Sequence, residues 1–140
     1  MESTHEHAIN ITGKNVIIDG NGLLRYWGPG TLIYIDIAGR DISNVKIEIS
    51  MLSNQYNNTG TKQCAAIEIT YGSINSGSGY NIYINSSIKA FNKGIWVHEE
   101  ADSHKSSWVT SIFVNSGIEN CVEAIKFETG CGGSQIGGMI

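Results

Sequence analysis

The sequence predicts an all-β chain built from stacked repeats, and three observations carry that prediction. One phrase is written twice, first as Tyr80-Asn-Ile-Tyr-Ile-Asn-Ser-Ser-Ile-Lys-Ala-Phe-Asn-Lys-Gly-Ile-Trp-Val97 and again as Thr110-Ser-Ile-Phe-Val-Asn-Ser-Gly-Ile-Glu-Asn-Cys-Val-Glu-Ala-Ile-Lys-Phe127. Each copy reads as apolar alternation, a turn at Asn-Ser, a lone Ile, a second turn and renewed alternation. Such a unit cannot bury its own apolar face and must stack on its copies. Secondly, apolar positions align along the whole chain. Ile33, Ile67, Ile95 and Ile125 follow one another at steps of 34, 28 and 30 residues, and Val16, Val45, Ile82 and Ile112 at steps of 29, 37 and 30. The two ladders interleave, as two faces of one winding must, and the unequal steps predict loops of different length on one scaffold. Thirdly, Ile and Val fill the strand segments while Asn, Gly and Ser fill the places between, which is β-branched packing separated by turn chemistry. A single proline, Pro29, interrupts the chain, and no stretch has the pattern of an amphipathic helix.

The elements follow in order. Residues 1–8 are expected to form a flexible N-terminus. Ile9 to Gly22 predicts two short strands and a turn that uses glycines at positive φ. Residues 23–30, Leu-Leu-Arg-Tyr-Trp-Gly-Pro-Gly, read as an aromatic-rich loop. Strands are predicted over Thr31–Ile37, Asn44–Met51 and Ala65–Tyr71, with polar loops at 52–63 and 72–79. The two copies of the phrase enclose a charged excursion at 99–107. Residues 129–140 read as a glycine-rich C-terminal tail or an incomplete coil. At 140 residues the chain is one domain. Its coils occupy residues 9–128, and four of them make a stack about 15–20 Å tall.

Composition narrows the function classes. A net charge of −4 and a pI near 5.5, with scattered Lys and Arg, give no nucleic-acid footprint. Cys64, Cys121 and Cys131 lack metal-site spacing and read as reduced thiols. The opening Met-Glu-Ser-Thr-His-Glu-His has no apolar signal core, and no run approaches membrane-spanning length. The expectation is therefore a chain without its own signal peptide and without membrane contact. His5-Glu-His7 has a metal-like look but reads as solvated. Gly132 to Gly138 lacks a phosphate-loop lysine and a following helix.

The phrase Ile-Tyr-Ile-Asn-Ser-Ser-Ile…Gly-Ile-Trp-Val resembles the parallel β-helix repeat of pectate-lyase-like proteins. Asn15-Val-Ile-Ile-Asp-Gly-Asn-Gly22 looks like a phrase of early coils in polygalacturonases and in phage tailspike or appendage proteins. The likeness spans residues 9–128. It implies a right-handed single-stranded parallel β-helix of about four coils, uncapped, in the pectin lyase fold. It implies little about activity, because that fold hosts lyases, hydrolases, adhesins and spacers. Inward stacks are expected at Ile33/Ile67/Ile95/Ile125 with Ile35/Ile69/Val97/Phe127, and at Val45/Ile82/Ile112 with Ile47/Ile84/Val114. Asn85 and Asn115 are expected to form an asparagine ladder at one turn.

The outward columns beside the first ladder are Tyr34, Glu68, Trp96, Lys126 and Asp36, Thr70, His98, Glu128. Aromatic rings flanked by carboxylates, a histidine and a lysine suit a sugar, whose apolar face stacks on rings while carboxylates accept its hydroxyl protons. Carbohydrate-binding candidates are thus Tyr34, Asp36, Glu68, Trp96, His98 and, from the adjoining excursion, Trp108. A hydrolase needs two carboxyls about 5–9.5 Å apart, for which Glu99, Glu100 and Glu128 are the catalytic candidates. No polygalacturonase signature is present (Asn-Thr-Asp, Asp-Asp, Gly-His-Gly and Arg-Ile-Lys are all missing), so no catalytic residue carries over from that family. Glu99-Glu100-Ala-Asp102 can gather calcium but lacks the ligand alternation and glycine of a dedicated loop, so no metal site or cofactor is assigned.

The resulting expectation is a phage tailspike- or appendage-like segment that binds host surface polysaccharide, located on a virion or extracellular surface. It is expected to be a homotrimer or part of a longer chain. A polysaccharide lyase or glycoside hydrolase, and a structural spacer of a larger spike, are the alternatives.

Overall fold

The computed structural model describes residues 7–28, 30–37, 40–54, 64–71, 77–99, 108–128, 131–132 and 135–139. Among these residues every regular element is a strand. One sheet takes β1 (His7–Ile11), β3 (Thr31–Asp36), β5 (Ala65–Tyr71), β8 (Lys93–Glu99) and β11 (Glu123–Phe127), side by side in that order. The other runs through β2 (Ile17–Tyr26), β4 (Asp41–Asn54), β7 (Ser87–Lys89), β10 (Ile112–Glu119), β6 (Ser78–Ile84), β9 (Trp108–Thr110) and β12 (Cys131–Gly132). In this second sheet β6 also pairs with β4, and β13 (Gln135–Met139) pairs with β10. All the pairings are parallel. Parallel neighbours cannot be joined by a hairpin, so the chain must cross over before it returns. Here the crossing segments are strands of the opposite sheet.

The register is that of the apolar spacing. Ile33 pairs with Ile67, Ile67 with Ile95 and Ile95 with Ile125. On the second sheet Val45 pairs with Ile82 and Ile82 with Ile112. Alternate side chains point to opposite faces of a strand, so a match at one apolar row buries the next. Ile33, Ile35, Ile67, Ile69, Ile95 and Val97 meet Val45, Ile47, Ile82, Ile84, Ile112 and Val114 in one buried core. Burying such a side chain stabilises the fold by about 1.5–3 kcal/mol, which makes these rows the main source of stability. Ile125 and Phe127, in the last strand of the first sheet, are only partly buried.

Several sequence expectations change at the corners. Neither Gly20 nor Gly22 takes a left-handed φ. That conformation falls instead on Asn15 (φ 58°), Asn44 (53°), Asn81 (53°) and Ser111 (56°), each directly before an inward ladder residue. Asparagine tolerates this region better than most residues because its short polar side chain bonds locally. The asparagine ladder is therefore here and not at Asn85 and Asn115. Asn44 Nδ2 donates to Asn15 Oδ1 at 3.1 Å, and Asn81 Nδ2 to Asn44 Oδ1 at 3.4 Å. Asn85 and Asn115 are exposed. The serines that follow them turn inward: Ser86 and Ser116 are buried and donate to the carbonyls of Ile47 and Ile84 in neighbouring strands.

Residues 23–26 are not loop but the end of β2, and Tyr26 is buried, its hydroxyl oxygen accepting a hydrogen bond from Gly30 N at 3.2 Å. Residues 52–54 likewise extend β4, and Ser78 and Gly79 begin β6. His7 and Ala8 belong to β1, and the glycine-rich tail contributes β12 and β13. The expected loops at 55–63 and 72–76 lie outside the described residues. Cys64 and Cys121 are free thiols, the first fully buried.

Candidate functional site

The outward face of the first sheet assembles the expected columns. Tyr34 pairs with Glu68, Glu68 with Trp96 and Trp96 with Lys126; in the next column Asp36 pairs with Thr70 and Thr70 with His98. Glu128 continues that column just beyond β11, its backbone N–H bonded to Val97 O at 2.9 Å. The parallel register thus brings eight residues into two adjoining columns, six of them read from the sequence as sugar-binding or catalytic.

These side chains do not stand apart from one another. Glu68, expected as an exposed acceptor for sugar hydroxyls, is 2% exposed. One of its carboxylate oxygens accepts from the Thr31 hydroxyl and the other lies 2.7 Å from His98 Nε2. A buried carboxylate must be compensated in this way. Glu68 is therefore not the exposed acceptor that parity predicts; it is buried and bonded to Thr31 and His98. The His98 ring stacks on Trp96 with centroids 3.7 Å apart and planes 17° apart. From the N-terminal side of the strand, Lys93 Nζ lies over the Trp96 ring, 4.4 Å from its centroid. Trp96 Nε1 donates to Glu128 Oε1 at 3.2 Å, and Lys126 reaches the same carboxylate oxygen at 3.2 Å and Glu123 at 3.6 Å. At the other end of the columns, Thr70 donates to the Tyr34 hydroxyl at 2.9 Å and His7 stacks on the Tyr34 ring at 3.7 Å. Asp36 pairs with Arg40 at 2.8 Å.

Electrostatics follow from this packing. Burial pushes the Glu128 carboxyl up, but hydrogen bonds from Lys126 and Trp96 and the Lys126 charge outweigh it, so the carboxyl titrates below its ordinary range. Burial pulls the Lys93 ammonium down, and Glu123 acts against that. Glu128 Oε1 is thus engaged by both Trp96 and Lys126. Glu99 lies in β8, but its side chain, like that of Trp108 in β9, is outside the described residues, as is Glu100 altogether. Among the described residues no group of three or more His, Cys, Asp and Glu side chains is arranged to hold a metal ion; Glu100 and Asp102 of the proposed calcium loop are not among them. No described helix is long and apolar enough to cross a membrane.

Sequence reasoning missed Lys93 and Thr31, which share the inward parity of their strands and yet contribute to the outer network. Lys93 was visible as a cation three residues before Trp96, but nothing in the alternation signals that it turns outward. Comparisons with family models, curated proteins and solved structures return no match.

Proposed function

We propose that the two parallel sheets are walls of a right-handed single-stranded β-helix, and that the chain is a segment of a tailspike- or appendage-like phage protein that binds host surface polysaccharide. The observation that carries this reading is the tiered column on the first sheet, where Tyr34, Trp96, Lys126, His98 and Glu128 recur at the strand spacing. A surface that repeats along one axis suits a polymer that repeats along its length. With Glu68 closed off, the sugar-facing members are Trp96, His98, Lys126 and Glu128, which offer an aromatic edge, an imidazole, an ammonium and an ionised carboxylate side by side.

Binding without cleavage is the favoured form, because the described carboxylates of this face are engaged by its own side chains, Glu68 by Thr31 and His98 and Glu128 by Trp96 and Lys126. A second reading, a spacer within a larger spike, has one observation in its favour: the outward side chains bond one another. The sheet edges favour a longer stack or a homotrimer, since an open parallel edge invites further pairing. Affinity electrophoresis of the protein through gels containing bacterial surface polysaccharides tests the reading. Retardation by at least one polysaccharide, reduced in Trp96→Ala and unaccompanied by new reducing ends or unsaturated products, supports it. Unretarded migration in every gel favours the spacer, and products that vanish in Glu128→Gln favour the enzyme.

A further inference from the structure

The duplicated phrase repeats on its outer side as well as its inner one. Its outward residues are Tyr83, Asn85, Ser87 and Lys89 in the first copy and Phe113, Asn115, Gly117 and Glu119 in the second. Tyr83 pairs with Phe113 and Lys89 with Glu119 in the parallel register. The match is aromatic on aromatic, amide on amide, small on small, and cation on anion. Core packing explains the inward isoleucines but asks nothing of the outward set.

The two rings stack at 4.8 Å with planes 11° apart, so they present their edges and the tyrosine hydroxyl outward. Beside them the Asn85 and Asn115 amides are exposed. The small pair then opens a groove of about 350 Å³ among Met51, Ser87, Gly117 and Ile118, with Lys89 and Glu119 at its lip. This volume lies at the lower end of the range for small-molecule sites. The groove has an apolar floor and a polar rim, the amphipathic character of a pyranose ring. Its lip charges are 3.1 Å apart and cancel one another. On the neighbouring strand Lys46 Nζ lies 5.9 Å from the centroid of the Tyr83 ring, and Glu48 accepts from Asn85 Nδ2 at 3.4 Å.

We infer that this face of the second sheet is a glycan-binding strip, separate from the Trp96 cluster, and that it takes a neutral polysaccharide with one sugar ring in the groove. A chain extended along β6, β7 and β10 meets the aromatic edges, the amides and then the groove, a run of about 13 Å from Tyr83 to Ser87. The Asn115 amide offers a hydroxyl both a donor and an acceptor, and Asn85, whose Nδ2 donates to Glu48, offers its carbonyl oxygen. The paired lip gives no counter-charge for a uronic or sialic acid. The inference shares with the proposed function only the ligand class.

Affinity electrophoresis of the whole chain in gels containing a neutral glucan, mannan or galactan, or an acidic polyuronate, tests it. Ser87→Phe fills the groove from an exposed position, and Asn85→Ala with Asn115→Ala removes the amides; unchanged thermal midpoints show that both variants fold. The expected result is retardation in a neutral gel, weakened about tenfold or more by each variant in both the wild-type and the Trp96→Ala background. Retardation by neutral glycans that is abolished by Trp96→Ala and unaffected by Ser87→Phe overturns the strip and leaves the first-sheet reading standing. Retardation by the polyuronate alone overturns the neutral class, and no retardation in any gel overturns both readings. Concentration-dependent self-association that disappears in Ser87→Phe identifies the groove as a contact between copies and also overturns the strip.

Discussion

Glu68 is a carboxylate that the fold buries and then satisfies twice, through Thr31 and His98. Removing it leaves the Thr31 hydroxyl and His98 without their acceptor, a loss of about 1–3 kcal/mol for each group left unsatisfied. Glu68→Ala is accordingly expected to lower the unfolding free energy by about 3 kcal/mol, and Glu68→Gln by less, in urea titrations followed by tryptophan fluorescence. Glu128 sets an acid dependence instead. Its folded carboxyl titrates below the ordinary 4.5, so its contribution is present above that value and is lost as pH falls through the depressed folded value. The stability gap between wild type and Glu128→Gln should therefore close as the pH falls below 4.5. The gap is small, because the pair is well solvated. Gly94 explains the Gly/Ala-Ile spelling of the phrase. A Cβ there would meet Ala124 O at 2.4 Å and Ile118 Cγ2 at 2.9 Å. Gly94→Ala, which forces the next strand away, is expected to cost about 1–3 kcal/mol in the same titrations.

The strands are held in line by their corners, where the left-handed residues cluster. Asn44 bridges Asn15 and Asn81 at φ 53°. Asn44→Ala loses both amide bonds and keeps the unfavourable φ, an expected loss of about 1–2 kcal/mol. Ala90, at φ 65°, already carries that strain, while its partner in the next rung is Asn120 at 53°. Ala90→Gly is expected to raise the thermal midpoint, because relief of about 1–2 kcal/mol exceeds the about 0.4–1 kcal/mol of added unfolded-state freedom; a lowered midpoint contradicts the corner assignment. The strand register was legible in the sequence because isoleucine spacing and two-residue alternation together fix both row and face. The corners were not. Asn-Ser spells a turn whichever of the two faces inward, and the choice of Ser86 and Ser116 follows from the carbonyls of Ile47 and Ile84 that wait there. In the same way nothing in the sequence sets Asn15, Asn44 and Asn81 apart from Asn85 and Asn115, yet only the first three take a left-handed φ and bond one another.

Taken as a molecule, the described chain is two parallel sheets in which each strand bonds only to its immediate neighbours. The outer columns of the first sheet were legible from parity and step length alone. The closure of Glu68 beneath its neighbours was not, because it depends on how far the large side chains of Trp96 and His98 lean across a neighbouring strand, which spacing does not encode. Both proposed surfaces exist only if residues about thirty positions apart are vertical neighbours. Nuclear Overhauser contacts between isoleucine methyl groups measure that relation directly. Parallel, in-register rows predict contacts from Ile33 to Ile67, from Ile67 to Ile95 and from Ile95 to Ile125, with Ile35 meeting Ile69. A crossed pattern that joins Ile33 to Ile69 and Ile35 to Ile67, the signature of antiparallel pairing, would contradict the fold and remove both surfaces with it.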